Sequence, residues 1–184
     1  VQREFDDHTS QWNYGLNQVD TEWTLSLDAD YQVPSTFVNE VRGLRPETET
    51  AGYRATFTYC VFGRRLRATL YPPRTVLFRN ERAHYVQDGH TQRLSVDGSV
   101  MALDTPLRHD DRKSLSRWLD NQRQYARLEA EKLQEDEDLS LSDRLRRTNV
   151  LGPLLVPLYC LFWKGLLLDG RPGWYYTLQR TYAA

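Results

Sequence analysis

"WTLSLDADYQVP", residues 23–34, decides how the chain reads. Trp23, Leu25 and Leu27 alternate with Thr24 and Ser26, the period-two pattern of a half-buried strand. Asp28 and Asp30 then stand one residue apart, ahead of Tyr31, Gln32, Val33 and Pro34. In an extended chain, residues i and i+2 point to the same side. Two carboxylates so placed repel unless donors or a cation lie between them. Hard oxygen ligands of this kind suit Mg2+ or Mn2+, which in turn hold phosphates. The alternative is a plain turn, because Asp often closes strands.

Upstream, Val1 to Phe5 reads as a short strand. Asp6, Asp7 or Thr9 then caps a helix running to about Val19, with Trp12, Leu16 and Val19 on one apolar face. The strand itself spans Glu22 to Leu27. Downstream, Pro34 and Ser35 open a short helix with Phe37, Val38 and Val41 inward. A Glu-, Thr- and Pro-rich loop covers Leu44 to Thr50. "GYRATFTYCVFGRRL" (52–66) and "TVLFR" (75–79) alternate as strands, with "YPPR" (71–74) breaking the chain between them. "AHYVQDGHTQRLSVDGSVMAL" (83–103) predicts more strands and turns, with Asp97-Gly98 as a hairpin signal. At residues 112–134 the period becomes helical, with Leu115, Trp118, Leu119, Gln122, Ala126 and Leu133 on one side. Strand–helix alternation followed by late helices predicts an α/β domain with a helical tail.

With 184 residues the chain can form one domain with a real core. It is 40% hydrophobic and 27% charged, as ordinary globular proteins are. A formal net charge of −1 points to no nucleic-acid partner. Three of the 24 basic residues are lysines, leaving 21 arginines, whose planar fork suits phosphate and carboxylate; coding bias would give the same skew. Eight of these arginines fall between Arg54 and Arg93. They would hold an anionic acceptor or, the favoured reading, line a solvated sheet edge. Cys60 and Cys160 have no metal or redox spacing and read as two free, buried thiols of a reducing compartment.

The chain opens on Val1, and its single methionine is Met101. The sequence therefore reads as the later part of a longer chain. Residues 136–149 form an acidic and basic connector. Residues 150–163 carry no charge but include Gly152, Pro153 and Pro157. They are too short and too broken for a simple spanning helix. Arg146 and Arg147 before them, and Lys164, Arg171, Trp174, Tyr175 and Tyr176 after, suit a membrane interface. A helix packed on the rest of the protein is the alternative.

Residues 5–34, "FDDHTSQWNYGLNQVDTEWTLSLDADYQVP", resemble the middle of a family 2 glycosyltransferase of the GT-A fold. Phe5, His8, Gln11, Asn13, Trp23 and Leu27 to Asp30 carry the likeness. It continues in "YVQDGHTQRLSVDG" (85–98), in "LRHDDRKSLSRWLDNQRQYARLEAEKL" (107–133) and in the apolar tail. The resemblance implies a Rossmann-like mixed sheet flanked by helices, its first strands missing, over residues 1–135, with the connector and tail beyond. It implies inverting transfer of a sugar from a nucleotide diphosphate-sugar to a hydroxyl of a glycan or lipid-linked acceptor, assisted by Mn2+ or Mg2+. The setting it implies is the cytoplasmic face of a bacterial membrane, in polysaccharide assembly.

By the same resemblance Asp30 is the main metal ligand and Asp28 lies near the donor's ribose and diphosphate. His109 is a third ligand or phosphate donor, Gln11 and Asn13 face the nucleotide, and Arg112 or Lys113 lies near the diphosphate. Inverting transfer needs a base, and Asp88 is the candidate. Many relatives place Glu directly after a His; here Thr91 follows His90, so Asp88 or His90 has to take that role. Asp88 as a turn residue before Gly89, and Asp110 or Asp111 as caps of the next helix, are the structural alternatives. A non-catalytic relative that binds membrane or protein is the rival reading, and a nucleotide-sugar hydrolase a third.

Overall fold

The computed structural model describes residue 4 and residues 6–88, 91–135 and 151–183. The predicted strand over 1–5, Glu4 apart, and the connector over 136–149 lie outside the described residues. The fold is mixed α/β, with a mixed sheet, flanking helices and a helical C-terminal segment. It divides into two compact units. One comprises Val1–Phe57 and Tyr71–Arg108; the other comprises Thr58–Leu70 and His109–Ala184.

In the first unit, α1 (His8–Leu16) begins at Asp7, whose carboxylate accepts from the Ser10 amide at 2.8 Å. It stops a turn short of the predicted Val19. The backbone tightens there into i→i−3 bonds, Gln18 to Gly15 and Val19 to Leu16. Asn80 then donates its side-chain amide to the Val19 carbonyl at 2.9 Å. Strand β1 (Trp23–Leu25) is shorter than predicted, and β2 (Tyr31–Gln32) follows it. Helix α2 (Ser35–Gly43) buries Phe37 almost completely.

The main sheet has the order β1, β6 (Arg74–Arg79), β3 (Thr50–Ala55) and β9 (Ser99–Ala102). Strands β1 and β3 run antiparallel to β6, while β9 runs parallel to β3. Phe37, Tyr53, Ala55, Val76, Leu77 and Leu103 form its core, with Trp23 and Leu27 against them. Leu27 is thus inward, as the alternation predicted.

A hairpin of β7 (Ala83–Asp88) and β8 (Thr91–Val96) packs on α1 through Leu16, Phe78 and Tyr85, with Trp12 and Leu94 beside them. The Asp97-Gly98 hairpin expectation is corrected here. After Gly98 the chain does not fold back on β8; β9 pairs with β3 instead. The reason is a close backbone crossing. Asp97 N–H donates to Arg82 and Ser99 N–H to Glu49. Gly98, at φ +129°, lies where a Cβ would meet that of Ala51 at 2.7 Å.

The second unit holds most of β4 (Phe57–Val61), paired with β5 (Arg64–Arg65) in the register Cys60↔Arg65 and Val61↔Arg64. Both turn residues, Phe62 at φ 53° and Gly63 at φ 73°, are left-handed, as two-residue hairpin turns of this twist require. Strand β10 (Leu107–Asp110) leads to α3 (Leu115–Glu135), the predicted amphipathic helix. Its cap is Ser114 rather than Asp110 or Asp111. Ser114 stands next to Leu115 and its hydroxyl accepts from the Arg117 amide at 3.3 Å.

Helix α4 (Leu151–Leu158), a π-helical turn (Tyr159–Trp163), a 3-10 turn (Leu166–Asp169) and α5 (Arg171–Tyr182) complete the unit. Pro157 has no N–H to give, and the helix widens directly after it. Tyr176 is fully buried, and its hydroxyl accepts from the Leu70 amide at 2.7 Å. Gly173 allows α5 to press on the Leu166 carbonyl, where a Cβ would stand 1.9 Å from the oxygen. Cys60 and Cys160 are free and buried, as expected. No helix among the described residues is long and apolar enough to cross a membrane.

Candidate functional site

Asp28 and Asp30 lie in the first unit, three and five residues beyond the end of β1. The intervening chain is not extended as the sequence reading assumed. The Tyr31 amide donates to the Asp28 carbonyl at 3.0 Å, which closes a tight turn with Ala29 and Asp30 at its centre. The turn and the acidic site are therefore the same feature. Both carboxylates are half-buried and both act on one phenol, Tyr71.

Three tyrosines surround this turn. The Tyr31 and Tyr71 hydroxyls lie 2.6 Å apart, and the Tyr85 hydroxyl is 2.9 Å from Ser26 Oγ. The Arg74 guanidinium stands 5.2 Å over the Tyr71 ring. Burial pushes all three phenols above their ordinary range, and the negative charge of Asp28 adds to the shift in each; Asp30 adds to it at Tyr71. Arg74 opposes the shift at all three. The phenols thus stay protonated at neutral pH and keep their O–H groups as donors. The result is a half-buried pocket wall of two carboxylates, one guanidinium and three neutral phenols. Oxygen donors of this kind fit a hard divalent cation.

Gln11 and Asn13 ride on α1 in the same unit. Asn13 Nδ2 donates to the Tyr85 carbonyl and Asn13 Oδ1 accepts from the Tyr85 amide, both at 2.8 Å. Its amide therefore clamps β7 to α1. Gln11 Oε1 is buried without a hydrogen-bond partner among the described residues. The Asp88 side chain and all of His90 lie outside the described residues; the Asp88 backbone ends β7.

His109, Arg112 and Lys113 belong to the second unit. His109 is buried, its ring edge-on to Tyr59 at 4.7 Å. Arg112 directs Nε and Nη2 at the buried Asp110 carboxylate, at 2.9 and 2.8 Å. Lys113 pairs with Asp111 at 3.4 Å. Among the described residues no group of three or more His, Cys, Asp or Glu side chains is gathered as a metal site.

Sequence reasoning missed Tyr31, Tyr71, Tyr85 and Arg74. Tyr31 follows the acidic pair directly, and Tyr71 and Arg74 frame "YPPR". The signal was present as two aromatic–charged breaks in strand patterning. What joins them is the sheet, because β1 and β6 are paired neighbours.

Comparison of the chain with protein-family models, with curated proteins and with solved structures found no match.

Proposed function

We propose that the protein is an inverting glycosyltransferase of GT-A type. It would transfer a sugar from a nucleotide diphosphate-sugar to a hydroxyl of a glycan or lipid-linked acceptor. The observation that supports this reading best is the turn at Asp28–Tyr31, with two half-buried carboxylates beside the Tyr71 phenol at the edge of a mixed sheet. The order of motifs from Gln11 to Lys113 supports it independently.

Asp28 and Asp30 are the residues that would hold Mn2+ or Mg2+. When bound, the ion supplies Lewis-acid stabilisation of the diphosphate leaving group. Arg74 adds fixed positive charge beside the acidic pair. Tyr31, Tyr71 and Tyr85 offer neutral O–H donors in a site from which burial removes much of the water. Asp88 is assigned as the base that takes the acceptor hydroxyl's proton. The exposed apolar surface of the last helices would hold the enzyme peripherally at a membrane, in keeping with a lipid-linked acceptor.

The test combines binding and turnover. Mn2+ binding should strengthen in the presence of UDP or GDP and vanish in Asp30→Ala. Asp88→Asn should lose sugar transfer and keep nucleotide binding. Mn2+ affinity that ignores both nucleotide and Asp30 would remove the transferase reading. Transfer retained in Asp88→Asn would remove that residue as base.

A further inference from the structure

An open cleft of about 530 Å3 lies wholly inside the second unit, within the size range of small-molecule sites. Its walls are Phe62 on the β4–β5 turn, Tyr175 on α5 and Trp118 on α3. Its polar groups are Asp111, Ser114 and Gln179.

Three features say what it takes. First, Phe62 is the one non-glycine residue with positive φ among the described residues, and a bulky side chain is disfavoured there. It is 67% exposed, so core burial does not hold it in place. Its ring meets Tyr175 at 4.8 Å, tilted by 49°. A strained aromatic held at the rim of a cleft is the kind of outlier from which function is inferred.

Second, the two cations at the cleft are already neutralised. Arg112 is tied to Asp110 and Lys113 to Asp111. Two guanidinium or ammonium charges against two carboxylates leave no excess positive charge for a phosphate group. Third, Asp111 accepts, Gln179 both donates and accepts, and the Ser114 hydroxyl does both. A polyhydroxyl ligand needs such mixed partners, and the apolar C–H face of a sugar ring needs a flat aromatic surface.

We propose that this cleft binds a neutral saccharide, its ring face on the Phe62–Tyr175 pair and its hydroxyls at Asp111, Ser114 and Gln179. The proposal does not depend on the transferase reading. A non-catalytic binder would use the same cleft, and the loss of Mn2+ in Asp30→Ala is silent about it.

The experiment probes the whole chain against a printed array of neutral and anionic oligosaccharides. The best neutral binder is then titrated by calorimetry. Tyr175→Ala and Phe62→Gly should each weaken binding roughly tenfold or more, about 1.4 kcal/mol by that conversion. Gln179→Ala should weaken it several-fold. Phe62→Gly also separates binding from folding: glycine relieves the left-handed strain, so the melting temperature should hold or rise while affinity falls. Absence of any saccharide binding would overturn the proposal. So would binding indifferent to both Phe62→Gly and Tyr175→Ala. Capture of UDP or of anionic sugars alone would overturn it in favour of a phosphate or acid site.

Discussion

Replacing Asn13 by Ala tests how α1 is joined to the β7–β8 hairpin. Tyr85 pairs across the hairpin with Leu94, yet its own N–H and C=O are taken by Asn13 on the other side. The Asn13 amide thus substitutes for a neighbouring strand at one residue. In Asn13→Ala both Tyr85 backbone groups lose their partner in a buried residue. Each such loss costs about 1–3 kcal/mol, and partial water access at a half-buried site favours the lower half of the range. The expected destabilisation is about 2–4 kcal/mol. Local opening at Tyr85 should accelerate by the corresponding factor, roughly 30- to 900-fold at about 1.4 kcal/mol per decade. Urea denaturation and amide hydrogen exchange at Tyr85 read the two quantities. Asn13→Asp sharpens the test. One carboxylate oxygen still accepts from the Tyr85 amide, whereas the other meets the Tyr85 carbonyl with no proton to share. Stability should fall while the Tyr85 amide stays protected better than in Asn13→Ala. A loss below about 0.5 kcal/mol in Asn13→Ala, with Tyr85 exchange unchanged, would refute the clamp. Packing of Trp12 and Leu16 would then hold the hairpin alone.

Two further outcomes follow from other parts of the molecule. Desolvation pushes the Glu40 carboxyl up, but the Thr105 hydroxyl and the Asp104 and Thr105 amides outweigh it and hold it below its ordinary 4.5. A depressed carboxylate stabilises the fold above its unfolded value, and that contribution is lost as pH falls through the folded one. Glu40→Gln should therefore flatten the stability profile below about pH 4.5, and an unchanged acid slope would contradict the assignment. On the last helices Phe162, Trp163 and Leu168 are 67%, 81% and 69% exposed. The chain should float with vesicles containing anionic lipid, and Phe162→Glu with Trp163→Glu should abolish flotation; flotation equal in the double variant would exclude these residues as the contact.

Much of the local structure was legible in the residues themselves. The strand at Trp23, the helices opened by Asp7 and Pro34 and the amphipathic run at 115–135 follow from periodicity and caps, which are set by a few neighbouring side chains. The free thiols followed from spacing. The acidic pair was visible, although its turn was not: an i→i+3 bond at Asp28 competes with extension on equal terms until β1 and β6 fix the chain on either side. Asp97-Gly98 carried the sequence of a hairpin, and only the crossing over Ala51 sends the next strand to β3. Ser114 displaced two better-known caps because Asp110 is occupied by Arg112.

The sequence by itself determined which segments are strands or helices, and it placed two carboxylates beside a strand. Tertiary structure decided what surrounds them. Tyr71, Arg74 and Tyr85 are more than 40 residues away along the chain, and burial with strand pairing brings their groups to Asp28. The same holds for the aromatic cleft, where a left-handed Phe62 meets Tyr175 from a helix over a hundred residues later. Local preference is carried by neighbours in sequence. A site made of distant side chains is specified by packing, which depends on the whole set of contacts.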